Sequence, residues 1–273
     1  MGATFISPPK AVKMSRRQIR SLVLGASALL IGLLLSGCAA GATPPHSPKP
    51  QSQPHHLAAA PTTAPSTTPS PALAVAPAVG GTSATAVSAQ VVVYTAPGGA
   101  VDETLTNPRP LGVPLTFLVA STQGAWLKVD LAQRPNGSTG WIKDAAVTLH
   151  TLVYSLLAST EQNTLSLYKS GVLVKTFTAA TGTGGTPTPH GSFYIIELLR
   201  PTNSGYGPYA FGLSAFSNVL SNFGGGPGEI GLHGTDDAAS IGHAASHGCI
   251  RLSNPDITTL AHLLPLGTPI TID

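Results

Sequence analysis

His233-Gly234-Thr235, followed 13 residues after His233 by Ser246-His247-Gly248-Cys249-Ile250-Arg251-Leu252, is the stretch on which the reading of this 273-residue chain turns. A thiol attacks a carbonyl as its thiolate, so an ordinary pKa of about 8.5 must be lowered by a neighbouring His or cation for reaction near neutral pH. His247, Arg251 and the more distant His233 are such neighbours for Cys249. Gly234 and Gly248 allow backbone N–H groups to approach a substrate oxygen closely, as an oxyanion hole requires. A lone Cys is more often a small buried hydrophobe, but flanking His, Gly and Arg make a poor apolar core and a good thiolate environment.

The order of these residues resembles the L,D-transpeptidase family of the YkuD type: a His, a loop, then Ser-His-Gly-Cys followed by an apolar residue and Arg or Asn. Thr181-Gly182, Pro187-Thr188-Pro189, Gly191, Phe193, Asp256 and Gly267-Thr268-Pro269 extend the likeness over residues 151–273. The resemblance implies Cys249 as nucleophile and His233 as the general base that takes and returns its proton. It also implies His247 shaping the site by hydrogen bonding, and backbone N–H groups around Gly248 and Cys249 as oxyanion donors. Arg251 either pairs with a substrate carboxylate or fixes the loop. No Asp or Glu stands at a third triad position, so a backbone carbonyl near Gly234 is expected to orient the His233 imidazole.

The implied reaction is acyl transfer between peptidoglycan stem peptides. Cys249 attacks the carbonyl of the third residue of a tetrapeptide stem and expels the terminal D-Ala. The side-chain amine of another stem then resolves the thioester into a 3→3 crosslink. No metal or organic cofactor is called for. Water as acceptor would give an L,D-carboxypeptidase, and a protein amine an attachment enzyme. A rival of another class, a non-catalytic wall-binding lipoprotein, is disfavoured because every motif residue is present.

The expected fold is mainly β. Runs at Tyr154-Ser159, Thr164-Tyr168 and Val172-Ala179 read as a meander, Gly191-Glu197 and Thr268-Ile272 as later strands, and Asn254 to about Leu264 as a short helix. Asn254 suits its cap and Pro255 its first position. The resemblance makes this module a β-sandwich. The 55 residues from Arg200 to Asn254 read as a long functional loop region, in which Tyr206, Tyr209 and Phe211 serve either a substrate lid or local packing. His243 and His190 read as surface residues outside the site.

Residues 90–150 carry short β-prone runs at Val91-Tyr94, Leu115-Ala120, Trp126-Val129 and Gly140-Ile142, separated by turn clusters. Trp126-Leu127-Lys128-Val129, Asn136-Gly137 and Gly140-Trp141-Ile142 resemble a bacterial SH3-like domain, a small barrel with Trp126 and Trp141 expected in its core. Such domains are wall-binding modules or spacers.

Five of the 14 Lys and Arg residues (Lys10, Lys13, Arg16, Arg17, Arg20) precede residue 21, and the uncharged run Ser21 to Leu35 follows. Leu35-Ser36-Gly37-Cys38 resembles the bacterial lipobox, which makes residues 1–37 a lipoprotein signal peptide and Cys38 the lipidated first residue of the mature chain. Nine basic side chains then remain against 11 acidic ones, a net −2, so the precursor's pI near 9.0 gives no support for nucleic acid as a partner. Residues 38–89 are rich in Pro, Ala, Thr and Ser and read as a disordered tether, with His55-His56 as solvated residues and not a metal site. The chain is thus expected outside the cytoplasm, held to the membrane through lipid on Cys38 and acting in the cell wall.

Overall fold

The computed structural model describes residues 80–223 and 225–273. The expected signal peptide, Cys38 and most of the tether lie outside them. Alternation of apolar and polar side chains builds the first module from seven strands. These are β1 (Gly81–Ala86), β2 (Gln90–Tyr94), β3 (Val101–Thr106), β4 (Thr116–Gln123), β5 (Trp126–Asp130), β6 (Thr139–Lys143) and β7 (Val147–Leu152). They form one antiparallel sheet in the order β3-β2-β6-β5-β4-β1-β7. Its core is Ala84, Val91, Val93, Leu115, Phe117, Leu127, Val129, Leu131 and Ile142.

Two expectations for this module are corrected. Residues 81–86, assigned to the tether, form β1, held between β4 and β7. Their small side chains hide the signal, yet Ala84 and Ala86 face the core in alternation with outward Thr85. Trp126 and Trp141 are only partly buried, because Leu127, Val129 and Ile142 take the inward positions of their strands. Trp126 instead meets Tyr94 edge-on on the outer face, ring centroids 5.0 Å apart.

The second module contains β8 (Tyr154–Ser159), β9 (Thr164–Lys169), β10 (Val172–Thr178), β11 (Thr181–Gly182), β12 (Gly191–Leu199), β13 (Ala210–Phe216), β14 (Glu229–His233), β15 (Ala244–Ser246), β16 (Ile250–Arg251), the helix α1 (Asn254–Ala261) and β17 (Pro269–Ile272). Eight strands form a mixed sheet in the order β10-β9-β8-β17-β12-β13-β14-β16, while β11 and β15 pair in parallel. The sheet curls until its two edges meet: Ala180, just past β10, exchanges two 2.8 Å backbone hydrogen bonds with Arg251 of β16. The eight strands of this sheet and α1 contribute to one core cluster, which includes Leu156, Phe193, Phe211, Leu213, Leu232, Ile250 and Ile257. The described residues are therefore mainly β with one α-helix, as the sequence implied.

The 200–254 region is not loop throughout. Its central strand β13 is buried at all seven positions, so it shows no alternation by which a strand could be read. Phe211 is wholly buried core and no part of a lid. The helix is capped by Ser253, whose Oγ accepts the Asp256 N–H at 3.3 Å, and not by Asn254.

Candidate active site

Strand β14 alternates. Ile230 and Leu232 enter the core, while Glu229, Gly231 and His233 stand on the opposite face and line a cavity of about 470 Å³. Parallel pairing of β14 with β16 sets Leu232 opposite Ile250 and His233 opposite Arg251, which brings Cys249 beside Gly231. The Gly231 N–H donates to Cys249 Sγ at 3.3 Å. A Cβ on Gly231 would stand 3.4 Å from His233 Cδ2 and 3.7 Å from Cys249 Sγ, so the space between imidazole and thiol opens directly over this glycine.

The chain leading to Cys249 is held from below. Pairing of β11 with β15 sets Gly182 opposite Ser246, and the Thr183 N–H donates to the Ser246 carbonyl at 3.0 Å. Buried Ser246 then ties the turn. Its Oγ accepts the Gly248 N–H at 3.0 Å and donates to the Cys249 carbonyl at 2.5 Å. Gly248 adopts φ +116°, and a Cβ there would stand 3.0 Å from Ile230 Cδ1. These contacts account for the early Thr-Gly motif and for Ser246 in the sequence pattern.

His233 is 3% exposed, and its Nδ1 lies 2.5 Å from the Gly234 carbonyl oxygen. A carbonyl only accepts, so Nδ1 carries the proton and Nε2 is left as the basic nitrogen. Tyr206 packs on the ring at 4.7 Å between centroids. Asn254 anchors the loop beyond: its Oδ1 accepts the Thr235 N–H at 3.0 Å. Burial lowers the His233 pKa to about 4, aided by the Arg251 charge and opposed by the Gly234 carbonyl. Burial likewise raises the Cys249 thiol, against the Gly231 N–H and Arg251, which favour the thiolate. Both shifts favour neutral imidazole and thiol over the ion pair.

The oxyanion expectation needs revision at two positions. The Gly234 N–H donates to the Tyr209 carbonyl at 3.2 Å and the Gly248 N–H to Ser246 Oγ. Among the described residues the Cys249 N–H has no such partner, so of the three expected donors it alone is left unpaired.

His247 is exposed and stacks on Phe223, ring centroids 5.1 Å apart. Arg251 lines a second cavity of about 270 Å³ with His247, Phe223, Tyr206, His233 and Cys249. It makes no ion pair among the described residues, and its buried Nε has no hydrogen-bond partner. The two cavities share Cys249, His233, Tyr206 and Phe223 and differ in their charged lining, Arg251 in the smaller and Arg200 with two carboxyl groups in the larger. The larger carries Glu197 and Glu229, whose carboxylates converge where a Cβ on Gly212 would come within 2.9 Å of both. Arg109 of the first module stands 3.8 Å from Glu229, and Leu111 lines the same cavity. Burial, with Glu197 adding to it, raises Glu229 to about 7 despite Arg109. Asp256 serves the helix start and pairs with Lys175 at 2.9 Å. His243 is exposed, and His190 meets Thr160 at 2.9 Å, outside the cavities.

Sequence reasoning missed Glu197, Glu229, Phe223 and the anchoring role of Asn254. The alternation Glu229-x-Gly231-x-His233 could have revealed the first face, had the segment been read as a strand. Phe223 and Asn254 carry no such signal, because their partners come from remote segments.

A buried His oriented by a carbonyl thus stands beside a Cys on a glycine-preceded turn. The family model for the L,D-transpeptidase catalytic domain (YkuD) matches residues 153–272. The chain is 37% identical over 124 residues to the candidate L,D-transpeptidase YkuD of Bacillus subtilis (strain 168), covering 45% of this chain and 68% of that protein. It is 36% identical over 122 residues to the equally described protein of Bacillus licheniformis, covering 45% and 67%. Among solved structures, an L,D-transpeptidase from Mycobacterium tuberculosis H37Rv aligns at 20% identity and a TM-score of 0.37 over 52% of this chain and 74% of that one. The chain belongs to the YkuD-type L,D-transpeptidases, a family that acts on peptidoglycan stem peptides.

Proposed function

We propose that this protein forms 3→3 crosslinks in peptidoglycan through a thioester on Cys249. The observation that carries the reading is the placement of Cys249 Sγ and the His233 imidazole on either side of Gly231, open to two cavities. His233 Nε2 takes the thiol proton as Sγ bonds to the carbonyl carbon of the third stem residue. The oxyanion is met by the Cys249 N–H. The tetrahedral adduct then collapses: the bond to D-Ala breaks, and its nitrogen takes the proton from His233. An amine from a second stem attacks the thioester, passes its proton to His233, and the thiol is regenerated.

Charge supports a division of labour between the cavities. Arg251, without an internal partner, suits a carboxylate of the donor stem, and this favours substrate pairing over a loop-fixing role. Glu197 and Glu229 offer carboxyl oxygens to an amine acceptor in the other cavity, where Arg200 also lines the wall and Arg109 stands 3.8 Å from Glu229. We read the first module as SH3-like, residues 1–37 as a lipoprotein signal peptide, and Cys38 as the lipid anchor that holds the enzyme in the wall space.

The test is turnover of defined tetrapeptide stems by the purified protein. Dimer with loss of one D-Ala is the expected product; tripeptide alone would make the enzyme a carboxypeptidase, and no product would favour a non-catalytic wall protein.

A further inference from the structure

The loop of residues 217–228 joins β13 to β14 and brings Phe223 to the border of both cavities. Its neck is closed by the Ser217 N–H donating to the Gly228 carbonyl at 2.8 Å, and Phe223 exchanges two 3.0 Å backbone bonds with Gly226. Among its described residues none belongs to the apolar core, and beyond the Ser217 Oγ bonds to the Val219 and Leu220 N–H groups its support comes from outside. It comes from the first module, whose β5–β6 connection reaches across. Arg134 donates through Nη1 to the Ser217 carbonyl at 2.7 Å and through Nη2 to the Leu220 and Pro227 carbonyls, both at 3.0 Å. Its guanidinium also lies 5.2 Å from the Phe216 ring centroid. Asn136 pairs with the Phe216 backbone in both directions, Oδ1 accepting the N–H at 2.9 Å and Nδ2 donating to the carbonyl at 2.8 Å.

Arg134 thus commits a planar fork, which would suit a carboxylate, to three neutral carbonyls of the second module. Phe223 is 42% exposed and packs on His247, a contact too small to hold twelve residues in place by itself. We propose that Arg134 and Asn136 are positioning residues for the catalytic site, holding the 217–228 loop so that Phe223 stays on His247 and keeps the two approaches to Cys249 separate. The first module would then be part of the enzyme's active form and not only a spacer. The inference concerns access to the thiol and is independent of which acceptor the enzyme uses.

The full chain carrying Arg134→Ala, Phe223→Ala or both tests this. The rate of alkylation by iodoacetamide is followed at the Cys249-containing peptide by mass spectrometry, beside thermal unfolding and the KM and kcat for a tetrapeptide stem. Each single change should speed alkylation about fivefold and raise KM more than it lowers kcat, and the double variant should do no more than the larger single effect. Alkylation within about twofold of the parent in folded Arg134→Ala, or effects that multiply in the double variant, would overturn the proposal. Should Arg134→Ala not fold, Arg134→Lys, which cannot serve three carbonyls from one planar fork, replaces it. If neither folds, the pair serves the module interface and the proposal fails. A parent protein that turns over no stem peptide would count against the proposed reaction, while the alkylation rates would still decide the role of Arg134.

Discussion

The Nδ1–H of His233 points at the carbonyl oxygen of Gly234, 2.5 Å away, so a backbone group does for this imidazole what a carboxylate does in other triads. A carboxylate would stabilise the imidazolium strongly. A neutral carbonyl stabilises it less, and burial then prevails, lowering the pKa to about 4. The Cys249 thiol is raised by its own burial, so both groups are biased against an ion pair before substrate arrives.

The pH profile of Cys249 alkylation follows from this. The rate should climb with pH past the ordinary thiol value of about 8.5 and show no plateau between pH 5 and 8. A plateau beginning near pH 5 would reveal a preformed thiolate–imidazolium pair and contradict the assignment.

Stability should respond to pH through Glu229. The unfolded chain releases this proton near 4.5 and the folded protein at about 7, so the folded state binds more protons in between. Its contribution is therefore present below pH 4.5 and lost as pH rises through 7, by on the order of 3 kcal/mol. His233 acts oppositely: folded it releases its proton near 4 and unfolded near 6.5, so stability rises with pH across that window. The two slopes offset each other in the parent. In Glu229→Gln, urea unfolding at stepped pH should show the rise from pH 4.5 to 6.5 uncovered, and an unchanged profile would remove Glu229 from the cause.

Neighbours at the start of α1 should separate cleanly. Ser253→Ala removes the helix cap and should cost about 1 kcal/mol with kcat retained. Asn254→Ala strips the Thr235 N–H of its acceptor and frees the loop after His233. Its stability loss should be similar, about 1–2 kcal/mol, but kcat should drop about tenfold or more. Equal kcat values in the two variants would show that Asn254 is structural only.

Gly248→Ala meets both a backbone conformation that a side chain disfavours and Ile230 Cδ1 at 3.0 Å. The turn must shift and carry the Cys249 N–H with it. Acylation should slow about a hundredfold, measured under single turnover, with the fold kept at a cost of about 1–3 kcal/mol. Acylation at the parental rate would mean that the turn does not position the oxyanion donor.

What could be read from the sequence was what lies close together along the chain. The Cys turn, the β-meander from Tyr154 and the helix near Pro255 each carry local signals of turn, alternation or cap. Strand β13 was not legible, because a strand buried on both faces loses its alternation, and Gly212 and Ser214 within it resemble loop residues. Strand β1 was hidden by Ala and Thr shared with the tether composition. The inward role given to Trp126 and Trp141 failed because size was weighed above the period of two, which puts Leu127 and Ile142 inside. The acidic wall at Glu197 and Glu229 and the reach of Arg134 into the second module arise from sheet order and module packing, and neither has a local signature.

The most direct test of the acyl-enzyme is peptide-level mass spectrometry of the full chain, quenched during turnover of a tetrapeptide stem. The account predicts an acyl adduct equal to the stem without its terminal D-Ala, located on Cys249 and absent from Cys249→Ala, which should also release no D-Ala. Release of D-Ala by Cys249→Ala at the parental rate, or an adduct on any other residue, would contradict it.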